Sequence, residues 1–214
     1  MPVFNPDSKA MIVLSNMLDY VKLGLLVLLC SIPVFTLGTA IAAGMSVAMK
    51  IERGEAPAIR KPFQKAFCQN MKQGIPLTVF FELVISLLAF DWYQIMEMKP
   101  SITTRLVTVI LVILVLFIVM IDFYVFAGMA RYELKWKALI KNAVIYSILN
   151  FPKNILAIGI LLVGIFLYSY IRISVPIVIC FVPAIELFYM GKVCVKTFQH
   201  LEKQEGEENG NNNV

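Results

Sequence analysis

The chain has 214 residues, 59% of them hydrophobic and 15% charged, with a mean hydropathy of +0.79. Soluble domains carry about 25% charged residues, so this composition excludes a soluble domain and describes one integral membrane domain. The net charge of +5 is no nucleic-acid footprint, because the basic residues sit in short connections between apolar runs.

In chain order, Asp7 or Ser8 can cap a first segment over about 10–32, apolar with Asp19 and Lys22 set into it. Pro33 disfavours helix at Ile32, so the segment stops there. Thr36 or Thr39 can cap a second segment over about 37–49, with Gly38 giving the turn its freedom. Its small residues, Ala40, Ala42, Ala43, Gly44, Ser46 and Ala48, suit close helix packing in lipid. It ends at Lys50, Glu52, Arg53 and Gly54, a membrane exit. If residues 33–38 form a hairpin, the chain has six membrane segments; if they only kink one helix, it has five. Residues 10–49 make roughly 60 Å of helix, twice one crossing, which favours six.

Residues 55–74 place Phe63, Phe67 and Met71 at helical spacing among Arg60, Lys61, Lys65 and Lys72, predicting an amphipathic helix at the interface. A third segment follows over about 75–95, with Pro76 in its first turn. The fourth covers about 104–129. A second amphipathic stretch, 131–149, carries Tyr132 and Trp136. Pro152 precedes a fifth segment over about 154–171, and Arg172 marks a tight turn to the sixth, about 175–190. The domain therefore runs from 10 to 192, with 193–214 a disordered, acidic, Asn-rich tail. The fold class is all-α: a polytopic helical bundle with two cytoplasmic interfacial helices.

Basic residues set the orientation. Residues 50–74 hold six, 131–153 hold five and the tail three, against Lys99, Arg105 and Arg172 on the other side. That imbalance puts both connections and the tail in the cytoplasm; with six segments the N-terminus is cytoplasmic too, with five it lies outside. Lys65–Asn70 (KAFCQN) echoes Lys137–Asn142 (KALIKN), either as a trace of two parallel halves or as chance likeness of two basic helices.

Four cysteines lie far apart and there is one histidine, so neither a zinc site nor a disulfide framework is expected, and the thiols read as buried. Phosphate-loop, dinucleotide, metalloprotease and nucleophile-elbow motifs are missing, so no enzyme activity and no cofactor is expected. The polar residues of interest are Asp19, Glu82, Asp122 and Glu186, one on each of four segments at similar expected depth. They could line a cytoplasm-facing vestibule for a cation or polar ligand, or pair off separately, Asp19 with Lys22 for example. Phe63, Phe67, Met71, Tyr132 and Trp136 would rest on lipid or dock a partner.

Ser31-Ile32-Pro33-Val34-Phe35-Thr36-Leu37-Gly38, Arg53-Gly54-Glu55 followed by Phe63 and Phe67, and Tyr124-Val125-Phe126 leading to Ala130-Arg131-Tyr132-Glu133 resemble the YesL-like family of bacterial integral membrane proteins. The resemblance spans about 15–195 and departs at Gly24, where Asn is expected, and at Gly128-Met129, where a proline and aliphatic residues are expected. It implies a bacterial cell-membrane protein with a role near ABC-class sugar uptake, possible ABC transporter subunits as partners, and no catalytic residues. The expected function is thus an accessory or regulatory membrane protein. The alternative is a small transporter or channel subunit, acting as a homo-oligomer.

Overall fold

The computed structural model describes residues 9–55, 58–99, 101–132, 134–170 and 175–211. It is helical throughout, with no strand among the described residues: α1 (Lys9–Cys30), a 3-10 turn (Val34–Thr36), α2 (Leu37–Glu52), α3 (Arg60–Glu97), α4 (Ile102–Met129), α5 (Trp136–Leu149), α6 (Phe151–Tyr170) and α7 (Val175–Asn211). Among the described residues, Val34–Glu52, Arg60–Glu97 and Ile102–Met129 are long and apolar enough to cross a membrane. Trp136–Leu149 and Phe151–Gly164, bent by 88° at their junction, make a fourth such stretch if counted as one.

The break at Pro33 reverses the chain. The Tyr20 hydroxyl donates to the Glu52 carboxylate at 2.8 Å and Val27 lies against Gly44, contacts that only antiparallel helices can make. Pro33 is extended, and the buried Thr36 hydroxyl donates to the Cys30 carbonyl at 2.6 Å and to Pro33 O at 2.7 Å. Thr36 therefore closes the helix before it, whereas the sequence suggested that it caps the one after. Thr39 is no cap either, being buried inside α2 against Gly74. Gly38 is helical rather than a turn residue. Its missing side chain makes room for the Phe126 ring, which a Cβ would overlap.

α2 is the centre of the bundle, surrounded by α1, α3, α4 and α7. Ala40, Ala42, Ala43, Met45, Val47 and Ala48 are fully buried. Apolar burial gives helices no net drive to associate in lipid, so close backbone approach has to supply the contact, and small side chains allow it. Leu187 and Gly191 of α7 meet Gly44 and Ala48, while Gly24 of α1 lies on the Ala184 backbone. A Cβ at Gly24 would stand 3.1 Å from the Ala184 amide nitrogen, tighter than ordinary contact. α2 ends in a Schellman motif, with Gly54 at φ 74° and the Gly54 and Glu55 amides donating to Ile51 and Lys50 carbonyls. Arg53 stands 3.7 Å from Glu55 beside it.

The expected interfacial helix over 55–74 and the segment over 75–95 are one continuous helix, α3, about 57 Å long at 1.5 Å per residue. Pro76 lies inside it, and the Thr78 hydroxyl donates to the Gly74 carbonyl in the same turn. Hydroxyls of this kind support helix backbone around a proline. α4 starts two residues earlier than expected because Ser101 and Thr104 form a capping box. The two halves suggested by the KAFCQN and KALIKN echo differ in form, since α3 runs on through its proline and α5 ends in the sharp bend.

The boundary drawn at 192 falls inside α7. Val193, Cys194, Val195 and Phe198 continue its apolar face and are buried, so the packed domain reaches at least to Phe198. Of the three cysteines whose side chains are described, Cys194 is buried as expected, while Cys30 is half-buried and Cys68 exposed. The Cys180 side chain and Arg172 lie outside the described residues.

Candidate functional site

The four acids stand in different surroundings among the described residues. Asp19 is 3.1 Å from Lys22, and the Tyr20–Glu52 contact puts that pair level with the polar end of α2 rather than deep in the apolar layer. Glu82 and Asp122 stand on the adjacent helices α3 and α4. One Asp122 carboxylate oxygen is buried and accepts no hydrogen bond among the described residues, and the same holds for one oxygen of Glu186 on α7. A buried carboxylate oxygen without a donor is costly, which makes these two groups the polar points where the bundle is least satisfied.

The basic-aromatic stretches divide between core and surface. Phe63 is 1% exposed and stacks on half-buried Phe67, with ring centroids 6.1 Å apart. Met71 is half-buried, as is Tyr132, which meets the buried Phe198 ring edge-on at 5.4 Å. Trp136, 55% exposed, is the one of the five that faces outward, with the Lys137 ammonium 5.4 Å from its ring centroid. Phe63 is thus a core residue, on a helix that packs along α2.

A polar cluster that the sequence reading passed over lies where α5 meets α6. The Tyr124 hydroxyl of α4 donates to Asn154 Oδ1 at 2.8 Å, and Asn154 Nδ2 donates to the Ser147 carbonyl at 3.1 Å. Asn150 Oδ1 accepts from Lys153 Nζ at 3.0 Å and from the Thr197 hydroxyl of α7 at 3.1 Å. Tyr189 of α7 donates to the Lys153 carbonyl at 3.0 Å. Two asparagines four residues apart astride a proline were the available signal, since that spacing puts both amides on one side of the chain.

Between α3 and the entry to α5 lies a groove of about 730 Å³, lined by Lys72, Gln73, Pro76, Leu77, Phe80, Leu134, Lys135, Trp136 and Ile140. Gln73 Nε2 donates to the Leu134 carbonyl at 2.9 Å, tying the two walls together. None of the four acids lines it.

Two features of this geometry, the Pro33 reversal and the Arg53-Gly54 exit, lie in the stretch that decides the family comparison. Residues 20–92 match the family model described as protein of unknown function, DUF624. This is the YesL-like family. The match covers α2, most of α1 and most of α3, 73 of 214 residues (92 − 20 + 1), and the similarity carries no assigned activity. Neither curated proteins nor solved structures gave a match.

Proposed function

We propose that the protein is a six-pass protein of the bacterial cell membrane with both termini cytoplasmic, acting as a non-enzymatic accessory or regulatory component beside a carbohydrate ABC transporter. The observation that carries the accessory reading is the centre of the bundle. Where a carrier or channel needs a polar path, this chain has α2, buried among its neighbours on small side chains. The transporter partner rests on the family resemblance alone. Six passes are supported by direction: α1 to α4 reverse in turn, α5 and α6 make one bent passage, and α7 returns alongside α6. The distribution of basic residues supports the orientation.

Two experiments test this. Cysteines placed at Asn5 and Phe35, in a chain with Cys68 replaced, should be labelled from opposite sides of the membrane. Labelling of both from one side would make α1–α2 a re-entrant hairpin, and this is the critical place, because α2 is about 24 Å long against a hydrocarbon layer of about 30 Å. Purified protein in proteoliposomes should give no sugar or cation flux, while the tagged full chain should co-purify with a sugar-transporter subunit. A second reading, a small transporter or channel subunit, draws on Glu82 and Asp122. Flux by the purified protein that Asp122→Asn abolishes would put it in place of the first.

A further inference from the structure

The groove between α3 and α5 joins two kinds of surface. Along α3 its lining runs from Lys72 and Gln73 through Pro76 and Leu77 to Phe80, all on one side of the helix. Beyond Phe80 the exposed apolar residues continue at helical spacing, with Leu83, Leu87 and Phe90 each more than half exposed. Toward the other end lie the basic turns of α3. The groove therefore sits where a cationic surface gives way to an apolar one, and Trp136 on its far wall is the amphipathic ring enriched at that level of a bilayer. Its two cations, Lys72 and Lys135, come from opposite walls, and neither has an ion-pair partner among the described residues. Among the described residues no acid lines it. The polar part of Gln73 is already committed to the Leu134 carbonyl. What remains unsatisfied is positive charge at the rim and apolar surface on the floor.

We propose that this groove binds one anionic phospholipid of the cytoplasmic leaflet, the phosphate held between Lys72 and Lys135 and an acyl chain laid over Leu77, Phe80 and Ile140 toward the apolar stripe of α3. A groove of about 730 Å³ falls in the range of specific ligand sites, about 300–1,000 Å³. A free phosphate would use the rim and leave the floor empty, and an apolar chain without a charged head would leave both lysines unmatched. A lipid uses both surfaces at once. The leaflet assignment rests on the orientation proposed above, whereas the site itself does not.

The test is native mass spectrometry of the full chain in detergent, titrated with phosphatidylglycerol or phosphatidylcholine. One phosphatidylglycerol should be retained in preference to phosphatidylcholine. Lys72→Gln with Lys135→Gln should weaken it by about thirtyfold and remove the preference, taking about a fivefold contribution per lysine near a charged lipid surface. Lys61→Gln with Lys65→Gln, the same loss of charge on exposed positions of α3 outside the groove, should leave retention unchanged. Equal binding of the two lipids, or equal loss in the two double variants, would overturn the site. Displacement by millimolar inorganic phosphate would also overturn it, assigning the lysines to a free anion. Because binding is read in detergent, its failure leaves the Asn5 and Phe35 labelling result untouched, and a reversed topology would leave the binding result untouched.

Discussion

Two prolines interrupt helices in this chain, and the chain manages them differently. At Pro33 the backbone doubles back, and the corner is served by its own residues: the Thr36 hydroxyl donates to the Cys30 and Pro33 carbonyls and the Ser31 hydroxyl to the Val27 carbonyl. At Pro152 the chain turns through 88°, and the junction recruits Tyr124 from α4 and Thr197 and Tyr189 from α7. The difference follows from geometry. After a reversal the two helices lie side by side and cover each other, so only the turn itself needs polar partners. A right-angle bend carries the helix ends away from each other, and polar backbone at the corner has to be matched by neighbouring helices.

The largest effect should come from crowding the first corner. Gly38→Val drives a branched side chain into the fully buried Phe126 ring and should cost about 3 kcal/mol, read as a fall in melting temperature in detergent. Phe126→Ala in the same chain should recover part of that loss. A Gly38→Val protein that melts like the parent would mean the corner is loosely packed. Next is the second corner. Asn154→Ala leaves the Tyr124 hydroxyl and the Ser147 carbonyl without their partner and should cost about 1–2 kcal/mol, with Tyr124→Phe costing less, about 0.6 kcal/mol. Additive losses in the double variant would show that the two groups do not act together. Smallest is Thr36→Val, expected to cost about 0.5–1 kcal/mol by the same melting measurement, since two carbonyls lose one shared donor. A Thr36 loss larger than the Asn154 loss would reverse the contrast between the corners.

The role of α2 was legible in Ala40, Ala42, Ala43, Gly44 and Ala48, because few environments favour a row of such small residues in a membrane helix. The direction of the Thr36 hydrogen bonds was not, since a threonine between two helices has the same sequence signature whichever it serves. Phe63, Phe67 and Met71 misled for a related reason: their spacing marks an apolar face but not what covers it, and here the bundle core takes in the first of them. Pro76 looked like a helix start because local sequence does not show that α3 continues on both sides of it. The acids and the Asp19–Lys22 pair were legible, yet only tertiary packing shows that one carboxylate oxygen each of Asp122 and Glu186 is buried. The groove depends on Gln73 reaching Leu134, 61 residues away, which no local pattern carries.

The burial of α2 also has a consequence for biogenesis. This helix is made before α7, yet Gly44 and Ala48 on it receive Leu187 and Gly191 of α7. Until α7 has been made, the inner face of the nascent α1–α2 pair must be occupied by acyl chains or by the insertion machinery, and translation that stops short of residue 187 yields a product with its middle laid open to lipid.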